Sequence, residues 1–306
     1  SLVRKYTIIL LILVMCGGSD SDITLQDTST INLAPPQFKI INEHPTNNCF
    51  NEVLDRYVEV FGIYVISHSS IPDNYILHSA NILAQFIDND ADGIPDDGKV
   101  LKILQSLKIV VPIWTESLEE KTFDNISRDC EDSVGASMHY ENDNWAFGGI
   151  EYSGEWDTNL EEIWHTVSYG WYLSYPEYFG DVMRPRKSKL TNAVDTARGG
   201  YFKKVPSQYP DDAWYAYYDE TCDYECQIHE YFYWIVMSNI GALDPSITDK
   251  CEISEDEWAI CTKEELKEKD VLAFDLLNNN GFNLPTNIPS GSYEGTITVE
   301  DQSSSS

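Results

Sequence analysis

The stretch Ile228-His229-Glu230-Tyr231-Phe232-Tyr233-Trp234-Ile235-Val236 has almost no polar face. A helix through it, expected from about Thr221 to Ile240, must lie at the centre of a domain with other elements packed around it. Such a helix needs a sizeable chain to cover it, and 306 residues suffice for one large domain or two small ones. Glu230 sits inside this run. A carboxylate buried there must be paired, protonated or bound to a metal.

The rest of the chain supplies the covering elements. Phe38 to Ile41 and Tyr57 to Ser67 alternate as strands do, the second broken at Gly62. From Asp73 to Ile87 the period becomes helical, with Ile76, Ala80, Leu83, Ala84 and Ile87 on one face. Val100, Leu101, Ile103, Leu104 and Leu107 mark a second helix, and Lys108 to Trp114 reads as a buried strand. Residues 115–156 carry no clear period. Thr158-Asn159-Leu160-Glu161 has the form of a capping box and opens a helix with Leu160, Ile163, Trp164, Val167 and Trp171 on one face. Further helices are expected over Ser188 to Arg198, ended by Gly199-Gly200, and over Thr262 to Leu277. The fold class is α+β: a helix-rich single domain with a small sheet, spanning residues 37–290, for which a zincin-like arrangement is one option.

Arg4 and Lys5 precede an apolar stretch from Tyr6 to Met15 that is too short to span a bilayer. It reads as a signal peptide over residues 1–16. An apolar run ending at Cys16 resembles a bacterial lipoprotein signal, although Met15 stands where a small residue is preferred, which leaves ordinary cleavage open. Residues 17–36 read as a flexible tether and 291–306 as a disordered tail. The expected location is extracytoplasmic, secreted or lipid-anchored at the cell surface. Beyond Cys16 there are six cysteines, an even number that suits disulfides in an exported chain. Local closure favours Cys251 with Cys261 and Cys222 with Cys226, leaving Cys49 with Cys130. The rival is a metal site on Cys222 and Cys226, for which the spacing is poor. A net charge of −31 argues against nucleic acid or an anionic membrane surface as partner. Membrane contact is expected only through an N-terminal lipid.

Asp88-Asn89-Asp90-Ala91-Asp92-Gly93-Ile94-Pro95-Asp96-Asp97 is the most specific local motif. Calcium takes six to eight oxygen ligands, and carboxylates at alternate positions can curl round one ion. Asp88, Asp90, Asp92 and Asp96 and the carbonyl of Ile94 are the expected ligands, with Gly93 permitting the turn. The loop at 88–97 resembles an EF-hand or a thrombospondin type 3 loop. An EF-hand places a bidentate Glu at loop position twelve, where this chain has Lys99, so a structural calcium site is expected rather than a switch. The alternative is an acidic turn without an ion.

Glu161-Glu162-Ile163-Trp164-His165 resembles the zinc peptidase motif H-E-x-x-H, in which two His one helical turn apart bind zinc and the Glu activates water. Here Glu161 holds the first ligand position. Glu161, His165 and Glu230 are the expected zinc ligands, Glu162 the general base, and Tyr215 or Tyr217 an oxyanion stabiliser. Against this stand a capping role for Glu161 and a buried salt bridge from Glu230 to Arg198 or His165. Asp195 and Arg198 read as a local ion pair, and His78 as a packed, hydrogen-bonded core residue.

Several stretches together resemble a family of exported proteins from marine microbes: Ile76 to Ile87 running into Asp88-Asn89-Asp90, Leu160 to His165, Ala197-Arg198-Gly199-Gly200, Ala213-Trp214-Tyr215, Asp219 to Cys226, and Glu230 to Trp234. The resemblance covers about residues 55–290 and implies one domain, with no activity attached. The expected function is that of an exported, calcium-stabilised metalloprotein acting as a zinc-dependent hydrolase, most simply a peptidase. The rival is a non-catalytic surface protein whose exposed aromatics contact glycan or protein.

Overall fold

The computed structural model describes residues 34–42, 50, 53–125, 133–180 and 188–295. The signal at 1–16 with Cys16, most of the tether, Cys49, Cys130 and residues 296–306 lie outside the described residues. A five-stranded mixed sheet has the order β1 (Ile41–Asn42), β2 (Arg56–Val60), β3 (Ile63–Ser67), β4 (Val110–Trp114) and β5 (Met138–His139). The first three strands pair antiparallel, and β4 and β5 join in parallel. The turn between β2 and β3 uses Phe61 (φ 49°) and Gly62 (φ 74°), both left-handed, as a tight two-residue hairpin requires.

The crossover from β3 to β4 carries α1 (Asp73–Ile87), the acidic loop and α2 (Gly98–Ser106). After β4 come α3 (Glu116–Asn125), α4 (Ile150–Ser153), α5 (Thr158–Ser174), α6 (Pro176–Phe179), α7 (Lys189–Ala197) and α8 (Tyr224–Ile240). The chain then forms α9 (Lys250–Ile253), α10 (Lys263–Lys269) and α11 (Val271–Asn278). The helix-rich α+β class is therefore that of the sequence reading. No described helix is long and apolar enough to cross a membrane.

Helix α8 is buried along nearly its whole length, as its lack of a polar face requires. Asp223 caps its start by accepting from the Cys226 N–H, and Gly241 in the left-handed conformation ends it. Helices α5, α7, α10 and α11 pack against it, and α5 also packs on α1 and α2. The start of α5 differs from expectation. Asp157, not Thr158, is the N-cap, accepting from the Asn159 N–H. The predicted capping box at Thr158 is therefore absent, and Glu161 is free of that role. The box predicted at Thr262 and Glu265 does form. The single helix expected over Thr262 to Leu277 is broken at Asp270, which caps α11 and also accepts from the Trp214 indole and the Tyr231 hydroxyl.

Two disulfides, Cys222–Cys226 and Cys251–Cys261, match the local closures expected, and the first removes those cysteines from consideration as metal ligands. The loop closed by Cys251–Cys261 is anchored by Trp258, fully buried, whose indole N–H donates to Ser238 Oγ and the Ile260 carbonyl. Trp258→Ala should cost about 3–5 kcal/mol, read as a lowered urea midpoint with the slope unchanged; a loss below about 1 kcal/mol would contradict the anchoring role.

Residues 291–295, expected to belong to the tail, are packed against the domain. Gly291–Gly295 continue a segment that runs back along α1. Asn81, Gln85 and Asn89, one helical turn apart, hydrogen-bond to the backbone of this segment from Thr286 to Tyr293. Tyr293 is buried, and its hydroxyl donates to Asp88 Oδ2.

Candidate metal centre

Among the described residues, two sets of donor side chains converge so that their ligand atoms all lie within 4.8 Å of one another: Asp88, Asp90 and Asp96 in the acidic loop, and Glu161, His165 and Glu230 between α5 and α8.

The acidic loop is shaped by its own backbone. Asp88 is fully buried and accepts from the Gly93 and Asp92 N–H groups. Asp96 Oδ2 accepts from the Asn89 N–H at 2.7 Å. Ala91 (φ 57°) and Gly93 (φ 90°) are both left-handed, which curls the chain. Asp92 stands outside the converging set, its Oδ1 accepting from the Ile94 N–H at 2.8 Å. Asp97 caps α2 and takes a hydrogen bond from the Tyr175 hydroxyl. Lys99, at loop position twelve, reaches the Ser174 carbonyl instead of the loop centre. Burial first, then the neighbouring Asp90, Asp88 and Asp92 charges, push Asp96 up to about 6, and Asp88 is raised as well, chiefly by burial. Such carboxylates are costly to ionise together without a cation.

The second set is built by two helices. Residues Glu161 and His165 lie one turn apart on α5 and so share a face, and Glu230 on α8 faces them. His165 Nε2 is 3.6 Å from Glu230 Oε2, an ion-pair distance longer than a hydrogen bond. The two side chains are 4% and 3% exposed. Neither ring nitrogen of His165 has a hydrogen-bond partner, nor does Glu230 Oε1; the Tyr233 hydroxyl faces Glu161. Native interiors almost always pair such groups, and a cluster of unpaired ones calls for a specific cause. The salt-bridge alternative resolves in favour of His165, because Arg198 is held by Gln227 and Asp195. The Asp195–Arg198 pair is local, as expected, at 2.7 Å. His78 is buried and paired with Asp157 at 2.5 Å.

Electrostatics tie further groups to this centre. Burial pushes His165 down, but Glu230, with Glu162 and Glu161 adding, outweighs it and lifts the imidazole up to about 9. Burial raises Glu162 well above the usual carboxylate range, and the Glu161, Asp143 and Glu230 charges add to this against the opposing pull of His165. Two groups were not singled out by sequence. Glu257 is pushed up to about 8 by burial and by Glu230 and Glu161. Lys250 Nζ lies 3.5 Å from Glu161 Oε2. Both flank or lie within the Cys251–Cys261 loop, and those cysteines were the one sequence signal that a distant segment folds back. Tyr215 is not available as the oxyanion group: its hydroxyl donates to the Gln227 carbonyl at 2.7 Å. Tyr217, the other tyrosine considered, feels Glu230, Glu257 and Glu161, which with burial raise its pKa strongly.

Glu161, Glu230 and His165 offer two carboxylates and one imidazole, a donor set that suits zinc or a neighbouring first-row ion. Compared with protein-family models, curated proteins and solved structures, the chain finds no match in any of the three.

Proposed function

We propose that the protein is an exported metal-dependent hydrolase, peptidase-like, with zinc held by Glu161, His165 and Glu230 and a structural calcium in the 88–97 loop. The observation that carries this reading is the convergence of three donor side chains, two of them almost fully buried, whose His165 nitrogens and Glu230 Oε1 have no other partner. Disulfides are compatible with an extracytoplasmic setting.

The ion, when bound, would supply Lewis acidity to a water and to the scissile carbonyl. Glu162, held beside the ligands on α5, takes one proton from the water as its oxygen bonds to the carbonyl carbon. The same carboxyl returns that proton to the leaving nitrogen as the C–N bond breaks, giving a carboxylic acid and an amine; the acid's remaining proton then passes to the amine, leaving a carboxylate and an ammonium. Tyr217, which feels the Glu230 and Glu161 charges, would stabilise the oxyanion in place of Tyr215.

Metal binding should be linked to His165. In the ion-free protein the imidazole is raised to about 9, so at pH 7 it carries a proton that must leave before a nitrogen can ligate. Calorimetry in buffers of different ionisation enthalpy should show at least one proton released per zinc at pH 7. Affinity should rise with pH until about 9. Glu230→Gln should abolish stoichiometric zinc binding. Zinc uptake without proton release, or undiminished in Glu230→Gln, would overturn this assignment.

A further inference from the structure

The geometry points to Lys250 as the anchor for a substrate's terminal carboxylate, so that the centre removes the last residue of a peptide instead of cutting within it. This rests on the hydrolase reading and specifies its substrate class.

Lys250 stands at the start of α9, its ammonium 3.5 Å from Glu161 Oε2 and over the indoles of Trp156 and Trp234, with 5.2 and 5.4 Å to the ring centroids. Its place is held from both sides. The Cys251–Cys261 disulfide fixes the next residue, and buried Trp258 pins the loop that the disulfide closes. The two indoles hold the ammonium itself by cation–π attraction, which leaves its charge in place.

Exposure gives the direction of approach. The His165 and Glu230 side chains are 4% and 3% exposed, whereas Lys250 and Glu161 are 18% and 13% exposed. The centre is therefore less covered on the Lys250 side, which is the side from which we expect a substrate to reach it. A dication between Glu161 and Glu230 would offset both of their charges. Glu161 would then be engaged by the ion, so Lys250, with Glu257 as its other acidic neighbour, becomes a more positive group beside the centre in a chain whose net charge is −31. A cationic or neutral substrate end gains nothing from that group, while a carboxylate gains a charge-assisted hydrogen bond.

Distance sets how much substrate fits between. A ligand oxygen lies about 2 Å from zinc, so an ion on Glu161 Oε2 is no more than roughly 6 Å from the ammonium. One extended residue spans at most about 3.6 Å. With the carbonyl on the ion and the terminal carboxylate on Lys250, a single residue is long enough to bridge the gap.

The test uses the full chain loaded with zinc and two peptides identical except for a free or an amidated C-terminus. The free acid should be cleaved at its last bond with kcat/KM at least 10-fold above the amide. Lys250→Met should lower kcat/KM for the free acid about 10- to 100-fold, mainly through KM, and lower it at least 10-fold more for the free acid than for the amide. Lys250→Arg should restore the preference. If the Met variant fails to fold or to take up zinc, Lys250→Gln and Lys250→Arg carry the same comparison. Equal cleavage of acid and amide by the native protein, cleavage at internal bonds, or an equal loss on both substrates in the variant would overturn the proposal. If the zinc-loaded protein cleaves neither peptide, the hydrolase reading fails. Calorimetry with an N-acetylated amino acid then decides for Lys250 alone: binding weakened at least 10-fold by Lys250→Met supports the anchor, and no binding to the native protein refutes it.

Discussion

Glu162→Gln should leave zinc binding within about 3-fold of the native protein and lower kcat for peptide hydrolysis by about 10²–10⁴-fold, the range in which a positioned general base contributes. Gln keeps the size of the side chain and removes only the capacity to take and return a proton. Glu162 lies outside the converging donor set of Glu161, His165 and Glu230, so the ion keeps its ligands. A variant that lost zinc and activity together would place Glu162 among the ligands. A native protein with zinc bound and no hydrolysis to lose would make the centre structural.

Chelating calcium should lower the thermal midpoint by roughly 10 °C at neutral pH. An ion present at a thousand times its dissociation constant stabilises by about 4 kcal/mol, and each kcal/mol moves the midpoint of a domain of this size by about 2–4 °C. The sign of the pH dependence is specific. Asp96 is raised to about 6 in the folded, ion-free chain, above its usual value, and Asp88 is also raised. Stability from these bound protons is fully present below about pH 4 and is lost as pH rises through about 6. The ion-free protein should therefore weaken between those values, while saturating calcium should remove the decline by neutralising the carboxylates. The effect of chelation should be small at pH 4.5 and large at pH 7.5. The strap from Thr286 to Tyr293 should loosen with it, because Tyr293 and Asn89 tie that strap to the loop. Hydrogen exchange of the Ser290 and Gly291 amides, both bonded to Gln85, reads this directly. A midpoint unmoved by chelator at pH 7.5 would contradict a calcium site.

The elements legible in the sequence were those with strong local signals. The apolar run around Glu230 set the central helix, the face from Ile76 to Ile87 set α1 to its last residue, and cysteines close in sequence closed on one another. Local rules misled where two candidates competed for one role. Asp157 and Thr158 can each cap α5, and Asp157 prevails because it also accepts from the Asn159 side chain and pairs with buried His78. Asp270 interrupts the last helical pattern because Trp214 and Tyr231, distant in sequence, both donate to its carboxylate. The candidate centre was half legible. Glu161, His165 and Glu230 follow from helical spacing and a buried charge. Lys250, at the start of the short helix α9, and Glu257, in the loop after it, belong to a segment with no period of its own, and only tertiary packing brings them to α5. Tyr215 and Tyr217 alternate about the chain, and which hydroxyl turns inward to the Gln227 carbonyl depends on the Trp258 bridge beside it.

The central claim is that Glu161, His165 and Glu230 hold one ion together. X-ray absorption at the zinc edge of protein purified without chelator tests it most directly. The predicted spectrum has about one zinc per chain, a first shell of nitrogen and oxygen at roughly 2.0–2.2 Å with a single imidazole contribution, and no sulfur; in His165→Ala the imidazole signal and the stoichiometric zinc should both vanish. A sulfur shell, two or more imidazoles, or zinc retained unchanged in His165→Ala would contradict it.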